Sequence, residues 1–281
     1  MADSFDASMG AQSTLSMNAV SYPFVSESLT KQGQHIERAG IRGTRSHDVD
    51  DVREGPYTVG GSVVIEPTVA EFMALLTLAM GGAALVETVS AFTTIIDRIA
   101  GIHTCVGCKI DKFTLSSQAG QLCKLNLDII GLSSTITGSA PSEPASSSAL
   151  QHSDLTLTIG GSARSVSSLT FTLDNVLIGG RFMNNLTVPS IPESDRIITV
   201  SAEVPYNATN ADLYTTQSLS SSATGSLLLD DDTSDCLLTF AILQMPPESP
   251  NVGGKGEVPL LLNMTARKDG ATLELVMTDP A

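Results

Sequence analysis

Tryptophan is absent, and the 281 residues hold only four tyrosines and eight phenylalanines. An adhesive or carbohydrate-binding β-sandwich normally displays aromatic platforms, which this chain has little material to build. Cysteine is scarce as well. Cys105, Cys108, Cys123 and Cys236 are too few and too scattered for a disulfide framework. No apolar run approaches the roughly 18 residues needed to span a bilayer. The opening "MADSFDASMGAQS" has neither the basic start nor the apolar core of a secretion signal, so reduced thiols in a cytoplasm are expected.

Basic residues are the other shortage. Fifteen Lys and Arg face thirty Asp and Glu, a net charge of -15. The imbalance concentrates between Leu125 and Gly254, where Arg164, Arg181 and Arg196 stand against thirteen acids. A protein that grips nucleic acid carries the opposite sign, because affinity comes from neutralising phosphates. Two readings of the acid stay open: plain solubility, and a surface that meets DNA without sticking to it.

What the chain has in quantity is period-two alternation. "CKLNLDII" puts Cys123, Leu125, Leu127 and Ile129 on one face and Lys124, Asn126 and Asp128 on the other. "DLTLTIG" and "LTFTLDN" repeat the scheme, and "RIITVSAEV", "CLLTFAIL", "EVPLLLNMTA" and "ATLELVMT" extend it. Such segments, bounded by Gly, Pro, Asn or Asp, predict antiparallel strands with one wet face. "IGGSARSV" and "ARKDGATL" read as hairpin turns in which glycine supplies a positive φ. The fold class expected is therefore mainly β: an antiparallel β-sandwich or barrel with long polar loops.

One segment changes period. In "YTVGGSVVIEPTVAEFMALLTLAMGG", Thr68 and Glu71 fit a capping box, and Phe72, Leu75, Leu76 and Ala79 recur at helical spacing up to Gly81-Gly82. This predicts one flanking helix over about 68–80, apolar on most faces and hence deeply buried. It would plug its own sheet or lie between that sheet and a neighbour. Residues 1–56 are polar and aperiodic. They read as an N-terminal arm docked on a neighbouring subunit or on the domain itself, ahead of a single β domain over 57–281. The arm carries Lys31, Arg38, Arg42, Arg45 and Arg53. Residues 138–154 and 204–225 read as long polar excursions, natural contact arms in an assembling protein.

No catalytic constellation emerges. "HTCVGC" holds a Cys-x-x-Cys pair with no second pair to complete a zinc site, and no βαβ context for redox work. Asp230, Asp231, Asp232 and Asp235 lack calcium-loop spacing and read as a solvated acidic turn. His152, Ser153 and Asp154 are adjacent, which is not triad geometry. No catalytic, cofactor or metal residue is assigned.

An ordered series of phrases resembles the tail tube proteins of long-tailed phages. It runs "VSESLTKQGQHIERAGIRGTRS" (25–46), "GPYTVGGSVVIEPTVAEFMALL" (55–76), "KIDKFTLSSQAGQLCKLNLDIIG" (109–131), "SSLTFTLDNVL" (167–177), "SDRIITVSAEVPY" (194–206) and "GEVPLLLNMTA" (256–266). The resemblance covers roughly residues 20–279. It implies a β body with a flanking helix, hexameric rings stacked into a hollow tube, and DNA passing through an acidic lumen. It also implies other tail proteins as partners (tape measure, terminator, baseplate), a place in the virion tail, and assembly in the host cytoplasm. On the polar strand faces Asp128, Asp174 and Glu203 become the lumen candidates, against the plainer reading of solvent-facing residues on the tube exterior. Lys31, Arg38, Arg42, Arg45 and Arg53 become the subunit-contact candidates. The tube of a contractile injection or type VI-like secretion system shares these implications. An adhesive module is the alternative of a different class.

Overall fold

A computed structural model of the chain describes residues 10–40, 46, 48–218, 222–246 and 249–280. Its strands, in chain order, begin with β1 (Thr14–Met17), β2 (Val20–Tyr22), β3 (Ser26–Glu27), β4 (Thr30–Glu37), β5 (Val52–Ile65) and β6 (Phe92–Asp97). They continue with β7 (Ile102–Gln118), β8 (Lys124–Gly131), β9 (Ser133–Ile136), β10 (Leu155–Ile159), β11 (Ser162–Arg164) and β12 (Ser168–Asp174). The last are β13 (Ile197–Pro205), β14 (Ser222–Asp230), β15 (Asp235–Gln244), β16 (Pro259–Arg267) and β17 (Leu275–Thr278). Among the described residues two α-helices accompany them, α1 (Val69–Met80) and α2 (Ala211–Ser218). The chain is mainly β and antiparallel, with α1 where the capping signals place it.

Every pairing is antiparallel. A small sheet runs β2–β1–β6–β7–β9. A large one runs β4–β5–β8–β7–β12–β13–β16–β15–β14–β10–β11. The strand β17 shares the β15 edge with β16, and β3 shares the β5 edge with β4. The large sheet is not closed. Its edges are β4 and β11. The long strand β7 belongs to both sheets: residues 102–108 pair in the small one and 109–118 in the large one. A register shift opposite Phe92 and Thr94, at Val106–Gly107 where Gly107 takes φ 66, marks the handover, and a second shift between Ile110 and Lys112 follows within the large sheet. A bulge of this kind adds a residue and twist, which lets one strand turn from one sheet into another.

Alternation works as the pattern predicts. In β8 the residues Leu125, Leu127 and Ile129 are buried, as are Leu169, Phe171 and Leu173 in β12 and Ile198, Val200, Ala202 and Val204 in β13. Across this dry face lies α1. Phe72 of the helix meets Phe113 of β7 with ring centroids 5.4 Å apart, and Phe113 meets Phe171 of β12 at 6.2 Å. Phe171 meets Phe240 of β15 at 6.1 Å. The first two are edge-to-face contacts, which add about 1 kcal/mol per pair beyond the area they bury, and the third is tilted at 50°. The helix is thereby buried within its own chain: Val69, Phe72, Leu75, Leu76, Ala79 and Met80 lose essentially all exposure.

Both ends of α1 are fixed. Thr68 Oγ1 accepts from Glu71 N at 3.2 Å, while Thr68 N donates to Glu71 Oε2 at 2.9 Å. Asp231 Oδ2 accepts from Val69 N at 3.3 Å, a carboxylate at the positive end of the helix dipole. Gly81 ends the helix at φ 82, and a Cβ there would lie 2.5 Å from Val86 Cγ2. Left-handed backbone and lack of room both require glycine. Buried Asn175 then donates from Nδ2 to the carbonyls of Ala79 and Ile110, tying the helix end to the β7 bulge.

The polar excursion expected at 204–225 contains a second helix. The segment ADLYTTQS has little apolar periodicity, and a tertiary contact organises it. Arg164, with its side chain only 3% exposed, donates to Asp212 Oδ1 and Oδ2, Thr209 O, Asn210 Oδ1 and Ile159 O. A buried guanidinium needs that many acceptors to offset its desolvation. Leu213 adds one core contact.

All four cysteines are free and buried. Burial pushes the thiols of Cys108 and Cys236 up to about 12, and raises those of Cys105 and Cys123. They pack as small apolar side chains. Folded protein should therefore resist iodoacetamide at mildly alkaline pH, with all four thiols reacting after denaturation; rapid native labelling would contradict this burial. Thr68→Ala should cost about 1 kcal/mol, read as a melting temperature lower by about 2–4 °C. Arg164→Met should speed amide exchange across 211–214 and leave β12 and β13 protected. Unchanged exchange there would show that α2 does not depend on the arginine.

Candidate functional site

The wet side of the large sheet presents four rows of side chains across β8, β7, β12, β13 and β16. The first aligns Asp128, Lys112, Asp174 and Ile197. The second aligns Asn126, Thr114, Thr172, Thr199 and Thr265, and the third Lys124, Ser116, Thr170, Ser201 and Asn263. The fourth holds Gln118, Ser168, Glu203 and Leu261. Adjacent strands lie about 4.8 Å apart, so each row is a line of directly neighbouring groups. Ser201 and Asn263 touch at 3.1 Å, and Asn126 Nδ2 donates to Asp128 Oδ1 at 3.4 Å. At one side of the face a groove of about 530 Å³ runs between Thr199, Ser201, Asn263 and Thr265 and the overhanging Met245 and Pro246.

Register decides which lumen candidates belong together. Asp128 and Asp174 share the first row with Lys112 between them. Glu203 lies on the same face but three rows away, a separation of roughly 20 Å along the strands. Asp111, the residue at the β7 bulge, sits beside this cluster. Burial and the carboxylates of Asp174 and Asp128 hold its pKa above the ordinary range, with Lys112 opposing. Its Oδ1 accepts from Leu177 N at 2.7 Å, which anchors the loop after β12. Neither Lys112 nor Asp111 stands out in the sequence. The bulge shifts the alternation by one, and only cross-strand alignment reveals the partners.

The second surface is a hairpin. All eight residues of β4 are exposed, and residues 52–57 of β5 pair with β4 but not with β8. The hairpin thus projects past the sheet. Ile36, Val49 and Val52 are apolar and exposed by 54%, 84% and 42%. Lys31 Nζ sits 3.8 Å from the centroid of the Tyr57 ring, and Tyr57 N donates to Leu186 O, which braces the base. Arg38 and Arg53 are exposed near the tip; Arg42 and Arg45 lie outside the described residues. Other parts of the 1–56 segment lie in the body. The strand β1 pairs with β6, and Leu15, Met17, Tyr22 and Leu29 are core residues.

Remaining candidates resolve as structural groups. His152 Nε2 lies 2.9 Å from Val166 O, which can only accept, so Nδ1 is the acceptor for the Ser117 hydroxyl at 2.7 Å. Ser117 is buried, and this ring bridges two segments instead of facing a cleft. The acidic turn is tight: Asp231 Oδ1 accepts from Thr233 N and Ser234 N, and Asp230 Oδ1 from Asp232 N. Among the described residues no three His, Cys, Asp or Glu groups come together in a metal-binding arrangement, and no helix is long and apolar enough to cross a membrane.

Comparison with known proteins adds the decisive finding. A family model described as phage tail tube protein matches residues 6–272, nearly the whole chain. A search of curated proteins finds no match. With its open antiparallel sheet, flanking helix and projecting hairpin, the chain belongs to the phage tail tube protein family.

Proposed function

We propose that the chain is the repeating subunit of a phage tail tube, forming hexameric rings that stack into a hollow conduit for DNA during ejection. The match to the tail tube family over residues 6–272 carries this reading. Membership implies a structural component of the virion tail that assembles with itself and with other tail proteins. Hexameric closure, DNA conduction and assembly in the host cytoplasm are parts of the proposal.

Two surfaces support it. A ring or stack built head-to-tail needs unlike patches on one subunit, since each copy offers one patch and receives another. The projecting hairpin and the flat polar face are such unlike patches. In this proposal the 1–56 segment divides its work. Strands β1 and β2 hold to the chain's own β6, while β4 and the first residues of β5 reach a neighbouring subunit. Lys31 stiffens the base on Tyr57, and Arg38, Arg42, Arg45 and Arg53 supply charge toward an acidic neighbour. Residues 57–281 form the single β body, completed by β1, β2 and the core residues Leu15, Met17, Tyr22 and Leu29 of the 1–56 segment. Asp128, Asp174 and Glu203, on the polar face, line the lumen.

Negative-stain microscopy of purified protein should show rings or hollow tubes; strictly monomeric particles at high concentration would overturn the reading. Ile36→Asp combined with Val52→Asp should abolish tubes while leaving the melting temperature within a few degrees of wild type, because both side chains are exposed in the single chain. Normal tubes from that variant would remove the hairpin from the contact.

A further inference from the structure

The four rows of the polar face carry little net charge, although the chain as a whole is strongly acidic. They hold three carboxylates, Asp128, Asp174 and Glu203, and two ammonium groups, Lys112 and Lys124. Most other positions are Thr, Ser, Asn or Gln. The rows contain no aromatic ring on which a base could stack. The cation nearest the middle strand pair, Lys112, is flanked across both neighbouring strands by a carboxylate.

We propose that this hydroxyl-rich face is the surface that meets duplex DNA, and that it stays non-adhesive because Asp128 and Asp174 neutralise Lys112 from both sides. The inference rests on the tail tube reading and deepens it. It differs from repulsion by a uniformly acidic wall. Phosphate binding draws its strength from uncompensated cations that release counterions. A lysine between two carboxylates presents a net negative group, so a phosphate gains nothing by approaching it. Hydroxyl and amide side chains must give up water to reach a phosphate, so they add only a modest attraction beside the counterion release that uncompensated cations supply. Such a wall offers a sliding polyanion neither a trap nor a strong barrier. Lys112 in turn limits the repulsion between Asp128 and Asp174, which sit two strands apart on one row.

The test removes the balance. Asp128→Asn with Asp174→Asn keeps side-chain shape and removes both row partners of Lys112, leaving Asp111 at the bulge as the acid beside it and shifting the balance of the face toward its two lysines. Fluorescence anisotropy with a labelled blunt duplex at low salt should show no binding by the wild-type chain. The double variant should bind at least about tenfold more tightly, with an affinity that falls as salt rises. Adding Lys112→Gln should reverse the gain. A double variant that binds no better than wild type, or a gain that survives Lys112→Gln, would overturn the proposal. Placement is checked in assembled tubes carrying Thr172→Cys, with Cys105, Cys108, Cys123 and Cys236 serving as the buried background. A small maleimide should label the new thiol, and a maleimide on a bulky carrier protein should not. Equal labelling by both reagents would put the face on the exterior and overturn the inference. Absence of tubes from the wild-type chain would count against the tube reading alone, leaving the anisotropy result to decide the charge balance.

Discussion

The two sheets and the polar face depend on the register of one strand. Residues 102–108 of β7 complete the small sheet, and residues 109–118 form the middle of the large one. The bulge at Val106–Gly107 lets a single strand do both, and a second one at Asp111 resets the alternation so that Phe113 and Leu115 face α1 while Lys112, Thr114 and Ser116 face outward. A slip of one residue would exchange these two sets, burying a lysine and exposing the aromatic chain. The loss of the Phe72–Phe113–Phe171 contacts makes that slip costly, so packing on the dry face dictates what the wet face displays.

The two faces are therefore a single device. Asn175 shows the coupling in one side chain, binding the end of α1 and the bulge carbonyl of Ile110 together. Asp111 does the same from the other direction, accepting from Leu177 N while it lies against the charged row. Helix position, bulge and row alignment are held in common. A rigid scaffold of this kind suits a subunit that must present the same surface in every copy.

Much of this was legible in the sequence, and the limit is physical. Alternation in "CKLNLDII" and "LTFTLDN" reveals a strand and its wet face, because side-chain direction repeats every two residues. The capping signals at Thr68 and Glu71 place the helix for the same reason: both are local. Cross-strand partners are not local. Asp128 and Asp174 are readable as polar-face residues, but nothing near either one names Lys112 as the group between them. The helix α2 is not legible in its own segment because its order comes from Arg164, nearly fifty residues earlier, and not from its own periodicity. The N-terminal segment looked uniformly polar, yet Leu15 and Met17 are core residues contributed by a very short strand. Four residues are too few for period two to stand out.

The placement of the acid gives the net charge a different meaning from the one composition proposes. A chain at -15 invites the picture of a uniformly negative lining, but much of that charge sits away from the polar face. Asp230, Asp231, Asp232 and Asp235 crowd one turn beside the N-terminus of α1, where Asp231 serves the helix end. There partial desolvation and the neighbouring Asp230, Asp279 and Asp231 carboxylates raise the pKa of Asp235. On the face itself, by contrast, the carboxylates are spaced by a lysine and by rows of hydroxyls. Repulsion that falls off over about 8 Å in physiological salt is a local quantity, and the acid of one turn does not charge the whole surface. What DNA would meet on the face is set by local balance, while in the acidic turn Asp231 serves the helix.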